Sequence, residues 1–194
     1  MKKFLLLFLI SVILAEDGPP GYDKQMITKD KWVDDIITLA KDRKSDYNNK
    51  HPYNVLYYDG KKWTADCLNL HKALFNGRDI NNFKVGDYQH NLKNTGDITV
   101  DQMINRCTDV QKDFRKLKEG EPRILHMKRH IGAYLGKIIK VNGNEYNVVE
   151  ATASFGHKIA LSWVDSDGTR RAHRGGSKNG VWLLHGKPTR WVKY

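Results

Sequence analysis

The chain has 194 residues, a mean hydropathy of −0.63 and a formal charge of +11, from 33 Lys and Arg against 22 Asp and Glu. That composition suits one soluble domain with a real core, and two cysteines exclude a fold stapled by several disulfides. So basic a chain is drawn to polyanions, but charge alone does not choose among bacterial envelopes, nucleic acids and acidic glycans.

The first stretch, MKKFLLLFLISVILAED, reads as a secretory signal over residues 1–15. Lys2 and Lys3 form the basic start, Phe4 to Leu14 is an apolar run too short to span a bilayer comfortably, and Ala15 is a small residue suited to cleavage. No later segment is apolar enough to cross a membrane. The processed chain is therefore expected outside the cell or in a digestive vacuole, without membrane attachment. Residues 16–27, including GPPGYDKQ, form a turn-rich leader, and one domain is expected over 28–194.

From Thr28, a candidate N-cap, ITKDKWVDDIITLAKDRK has helical periodicity, with Val33, Ile36, Ile37 and Ala40 on one face. SDYNNKHPYN reads as a loop, and VLYYDGKKW as an extended segment turning at Asp59-Gly60. Asp66 then caps a helix with apolar positions Leu70, Ala73 and Leu74, stopped by Gly77. DINNFKVGDYQHNLKNTGD reads as a loop, and TVDQMINRC and DVQKDFRKL as two short helices. From Glu121 the pattern turns to strands: PRILHM, HIGAYLGKIIKV, EYNVVEATA, HKIALSWV, GVWLLH and TRWVKY, with Asn142-Gly143 as a hairpin turn. Helices followed by an antiparallel meander define an α+β fold.

Cys67 opens the helix capped by Asp66. Unpaired N–H groups there favour a thiolate and could hold a substrate oxyanion. Such a thiol needs an imidazole to take its proton, and the imidazole needs a polar orienter. Of the eight histidines, His51, His90 and His173 fall in polar loops. His71 lies one helical turn from Cys67, and His126, His157 and His185 lie on strands or near their ends. His130 stands at the mouth of HIGAYLG, a strand of small and apolar residues. The alternatives for Cys67 are a disulfide with Cys107 or an inert buried side chain.

Three strings carry a resemblance. WTADCLNL, HIGAYLG and YNVVEA together resemble the NlpC-type cell-wall cysteine peptidases, members of the papain-like superfamily related to the CHAP amidases. The resemblance runs from Thr28 to Trp163. It implies a nucleophile-bearing helix packed on an antiparallel sheet, and metal-free hydrolysis of amide bonds in peptidoglycan stem peptides. Cys67 matches the nucleophile, His130 the base and Glu150 the third residue. Tyr57 or Tyr58, with Asp66, match the substrate groove. Leu68 and Asn69 replace the usual Ser-Gly, and Asp59-Gly60 stands where the family often has Gly-Gly.

The register around Glu150 decides whether it can serve. A two-residue turn at Asn142-Gly143 would pair Glu150 with Leu135 and leave Ala151, Ala153 and Phe155 on the face of His130. A three-residue turn or a bulge would bring Glu150, Thr152 and Ser154 round instead. The shifted register is expected, with Thr152 as reserve. With Cys67 as nucleophile, Cys107 is expected to be a free, buried thiol in a helix.

The basic stretch GTRRAHRGGSKNG is either a holder of anionic wall polymer or a solvated hairpin loop. No zinc-type spacing or phosphate-cradling loop is present, so no metal or cofactor is expected. A monomer is expected that acts on bacterial peptidoglycan, with no specific nucleic-acid partner. The rivals are a papain-type protease of ordinary proteins, a non-catalytic wall- or glycan-binding module and a basic nuclease. The last usually carries more disulfides.

Overall fold

The computed structural model describes residues 26–48, 55–87, 95–96 and 98–194. The signal segment, the leader up to residue 25, His51 and His90 lie outside them. In chain order the elements are β1 (Ile27–Thr28), α1 (Lys29–Lys41), β2 (Ser45–Tyr47), β3 (Tyr57–Tyr58), β4 (Trp63–Ala65) and α2 (Cys67–Phe75). There follow α3 (Val100–Asn105), β5 (Thr108–Gln111), β6 (Arg123–Met127), β7 (His130–Val141) and β8 (Asn144–Thr152). The chain closes with β9 (Lys158–Val164), β10 (Thr169–Arg171), β11 (Lys178–Val181), β12 (Leu184–Lys187) and β13 (Val192–Lys193).

Eight strands form one antiparallel sheet in the order β11-β10-β9-β8-β7-β6-β12-β5. The mixed α and β architecture with a dominant antiparallel sheet agrees with the sequence. Among the described residues no helix is long and apolar enough to cross a membrane.

The sheet separates two apolar layers. The larger places Trp32, Ile36 and Leu39 of α1 and Leu70, Leu74 and Phe75 of α2 against Ile124, Ile131, Ala133, Val149, Ala151 and Ile159. The smaller holds Phe114, Leu125, Val148, Val164 and Trp182 on the other face. Fully burying one such aliphatic or aromatic side chain stabilises by roughly 1.5–3 kcal/mol, so the larger layer is what holds both helices to the sheet.

Several local expectations are corrected. In α1 the buried stripe is Trp32, Val33, Asp35, Ile36 and Leu39, because the broad indole carries the face round; Ile37 and Ala40 are half-buried. Ser45–Tyr47 is a strand, not loop, because it pairs in parallel with Trp63–Ala65. DVQKDFRKL is strand β5 followed by a 3-10 turn at Phe114–Lys116, since β12 offers β5 an edge to pair with. GVWLLH is split between β11 and β12, with Trp182 turned into the smaller core. The basic stretch is a true hairpin of β10 and β11, and its Arg170 is buried rather than solvated. Cys107 lies just past the end of α3 rather than within it, and its thiol donates to Met103 O at 3.4 Å.

The β7–β8 hairpin resolves the register. Asn142 and Gly143 have φ of 49° and 81°, as a two-residue mirror-image turn requires, and Val141, Lys140 and Ile139 pair with Asn144, Glu145 and Tyr146. Beyond the turn the pairing slips: Tyr134 meets Val148 and Ala133 meets Val149. From Ile139 to Tyr134 one strand advances five residues while its partner, from Tyr146 to Val148, advances two. An odd excess moves every later side chain to the other face. The tight turn and the shifted register therefore coexist, and Glu150 comes to the face of His130.

Gly136 makes the slip feasible. Its φ is +67°, its carbonyl accepts the Gly120 N–H at 2.7 Å, and an added Cβ would sit 2.9 Å from Glu121 N and 3.0 Å from Pro122 N. Those neighbours are backbone and cannot swing aside. Gly136→Ala is expected to destabilise the chain by about 1–3 kcal/mol in urea unfolding, since a side chain at that φ is strained and the space is closed. An unchanged urea midpoint would show that the bulge does not need glycine.

Candidate active site

The start of α2 and the start of β7 are built by short-range rules. Asp66 has extended backbone and its carboxylate accepts from Asn69 N at 2.7 Å, so it serves as the N-cap. Cys67 is the first helical residue and is 6% exposed. Lys128 and Arg129 form the two-residue turn into β7, Arg129 at φ 64°, and His130 faces Met127 as the first residue of the strand.

The cluster around His130 is held by one buried carboxylate. His130 Nε2 lies 2.6 Å from Glu150 Oε2, and Glu150 is fully buried. Arg170 reaches across from β10: its Nε lies 3.0 Å from each Glu150 oxygen and its second terminal nitrogen 2.6 Å from Oε2. Ser162 Oγ donates to Glu150 Oε1 at 2.5 Å. Burial alone would push the Glu150 carboxyl up. The hydrogen bonds and charges of His130 and Arg170 more than reverse this, so it is held below the usual range and stays ionised. The His130 ring stacks on Trp182, centroids 5.5 Å apart and planes at 19°. With Nε2–H given to the carboxylate, Nδ1 is the ring nitrogen left to accept a proton.

Thr152, the reserve, makes no hydrogen bond to His130 among the described residues. Its hydroxyl accepts from Arg170 at 2.9 Å and from Ser154 N at 3.1 Å, so it supports the arginine.

Cys67 meets β7 one residue further on. The backbone N–H groups of Ile131 and Leu68 lie near enough to favour its charged form. These donors do not offset burial and the nearby Asp66 and Glu150 charges, which push the thiol up to about 12. The expectation that the helix start would favour a thiolate is thereby corrected: desolvation outweighs the helix N–H groups at so buried a sulfur. The thiol and the His130 ring are not hydrogen-bonded to each other. Cys67 and Cys107 are both free thiols, so the disulfide alternative is not realised, and burial pushes Cys107 up to about 12 as well.

Of the other expected site residues, Asp66 is engaged as the cap. Tyr58 donates to Gly60 O at 3.0 Å and stacks on Trp63 at 4.8 Å, so its ring is part of the packing; Tyr57 is half-buried and bonded. A tyrosine that does feel the sulfur electrostatically is Tyr47, paired with Ala65. Burial and then the Cys67 and Asp66 charges hold its hydroxyl above the usual range. Among the described residues no group of three His, Cys, Asp or Glu is arranged to hold a metal.

Sequence reasoning passed over three members of the cluster and assigned no role to a fourth residue, His71, beyond its place one turn from Cys67. Arg170 lay in a stretch read as a surface loop, and Ser162 and Trp182 only as strand residues; Ser162 breaks the apolar run of its strand, a signal that was there to use. The fourth, His71, is fully buried and accepts from Trp32 Nε1 at 3.4 Å through Nδ1, while its Nε2 has no partner among the described residues. No family model, curated protein or solved structure matches this chain.

Burial, and next the charge of His130, push the His71 ring down to about 3. Unfolded, it titrates near 6.5, so below that pH the unfolded chain binds a proton the folded chain refuses. His71 thus favours folding fully above about pH 6.5 and loses that contribution as pH falls through 3, by up to about 5 kcal/mol. Urea unfolding of the chain and of His71→Leu at pH 7 and pH 4 checks this: the variant should lose clearly less stability on acidification. An equal loss in both would remove His71 from the acid response.

Proposed function

We propose that the chain is a secreted, papain-like cysteine hydrolase that cleaves amide bonds in bacterial peptidoglycan stem peptides. The observation that carries this reading is the 2.6 Å bond from His130 Nε2 to the buried Glu150, at the strand that Cys67 meets from the first turn of its helix. The helix that starts at the thiol packs on one face of the antiparallel sheet, while His130 and Glu150 lie on the other face beside Trp182, so Cys67 approaches them only at the Ile131 end of β7; the resemblance of WTADCLNL, HIGAYLG and YNVVEA is what supports a papain-like arrangement and the substrate class.

Because the resting thiol is neutral, the chemistry is general-base catalysis rather than a standing ion pair. As substrate enters, His130 Nδ1 takes the Cys67 proton while the sulfur bonds to the amide carbon. Glu150 keeps the Nε2–H tautomer and stabilises the imidazolium that forms. The carbonyl oxygen becomes an oxyanion facing the Cys67 N–H, since the Asp66 carboxylate accepts from the Asn69 N–H instead. His130 then protonates the leaving amine and a thioester remains. Water, deprotonated by His130, hydrolyses it to the carboxylic acid and the free thiol.

The test is fragment analysis by mass spectrometry after incubation with purified peptidoglycan. Cys67→Ala should abolish release of muropeptides and Cys107→Ala should retain it. Glu150→Gln should lower turnover by about 10²–10⁴-fold with little change in binding, and Thr152→Val by less than about tenfold. Thr152→Val as the crippled variant would move the orienting role from Glu150. Loss of activity in Cys107→Ala equal to that in Cys67→Ala would remove Cys67 from its role.

A second reading, a non-catalytic wall- or glycan-binding module, is favoured by one observation: the buried thiol is pushed up to about 12 and makes no bond to His130. Alkylation by iodoacetamide at pH 7 separates the two. Cys67 reacting faster than Cys107 fits the hydrolase, and two equally inert thiols with no muropeptide product fit the module.

A further inference from the structure

A second chemical feature lies along β6 from His130. Met127, paired with His130, and Arg123 are four residues apart on that strand, roughly 13 Å. At the Arg123 end a cavity of about 510 Å³ opens between β5, the segment after it, the start of β6 and the end of β12. Small-molecule sites span roughly 300–1,000 Å³.

Arg123 is among its walls, 3% exposed. One terminal nitrogen lies 2.5 Å from Asp109 Oδ2 and 3.2 Å from Glu121 Oε2; the other donates to Asp109 O at 3.1 Å and lies 3.2 Å from His185 Nδ1. Both carboxylates are thus engaged by one guanidinium. The cations left over are Lys116, Lys118 and Lys187, none of them in a salt bridge among the described residues; Lys187 lies 4.1 Å from the centroid of the Tyr194 ring. Two buried polar atoms of the lining have no partner among the described residues, the donor Arg123 Nε and the acceptor Gln111 Oε1. A buried polar group left without a partner is destabilising, and a ligand that supplies the partner removes that cost.

The lining specifies the ligand. Three lysines suit a phosphate. Gln111 Oε1 and the free lone pairs of Asp109 and Glu121 accept hydrogen bonds, and the several hydroxyl groups of a polyol supply more such donors, spread over a wider reach, than the one or two of inorganic phosphate. Among the described residues no aromatic side chain lines the cavity, so none of them offers a nucleobase a stacking partner. We propose that this cavity binds a polyol or sugar phosphate, the chemistry of an anionic envelope polymer, at a site separate from the cysteine cluster. The assignment does not depend on Cys67 being a nucleophile.

The experiment is titration of the purified chain, followed by amide and arginine Nε–H chemical shifts. The probes are glycerol 3-phosphate, inorganic phosphate, glycerol, poly(glycerol phosphate) and oligodeoxythymidylate. Glycerol 3-phosphate should shift the Arg123 Nε–H and the Gln111 amide and bind at least tenfold tighter than inorganic phosphate or glycerol. Lys116→Glu with Lys118→Glu, and separately Gln111→Ala, should each weaken it at least tenfold with unchanged circular dichroism. Cys67→Ala should leave it unchanged. Tighter binding per repeat of poly(glycerol phosphate) assigns the ester to a polymer, and weaker binding to a soluble metabolite. Absence of shifts at Arg123 and Gln111, phosphate binding as tight as the ester, or tighter binding of the oligonucleotide at the same residues would each overturn the proposal.

Discussion

The buried pairing of Glu150 with Arg170 is the constraint on which the site's architecture depends. A carboxylate with no exposure is costly to desolvate unless charge and hydrogen bonds compensate it. Here Arg170, Ser162 and His130 all converge on it, from strands β10, β9 and β7, so the pair ties four neighbouring strands together on one face. Arg170 is itself fixed by Asn179 of β11, at 3.0 and 2.8 Å, and by the Phe155 ring 4.5 Å away. Gly132 completes the fit. An added Cβ there would lie 3.0 Å from the Trp182 ring and 3.2 Å from Glu150 Cβ, so the imidazole, the indole and the carboxylate can close up only where the strand carries no side chain.

The strand half of the molecule was legible because alternation and turn chemistry are local. His130, Glu150 and the Asn142-Gly143 turn could be placed on one hairpin, and the need for a polar neighbour at His130 argued for the register slip. Its location at Gly136 was not legible, because the cause is a distant contact with the backbone of Glu121 and Pro122. Arg170 was missed for a related reason. Composition reports charge and glycine content, and RRAHRGG looks like a solvated loop until a buried carboxylate two strands away gives the guanidinium a partner. The same holds for β5, whose DVQKDFRKL has no strong strand pattern and is extended because β12 leaves it an edge.

At Cys67 two local rules conflict. A helix start favours negative charge, and burial beside Asp66 and Glu150 disfavours it; burial wins because the donors are few and the sulfur is almost fully enclosed. The free thiol is therefore held in reserve, and any chemistry it performs begins with a proton transfer rather than from a standing thiolate.

The parallel pairing of β1 with β13 has a consequence for how the chain acquires its shape. Ile27 and Thr28 meet Val192 and Lys193, and Thr28 is also the residue that caps α1, accepting the Lys31 N–H at 3.3 Å. The first helix is thus anchored by a strand made more than 160 residues later. During synthesis α1 and the sheet it covers cannot be clamped until Val192 has emerged, so closure is a late, long-range event rather than a step that follows the order of translation.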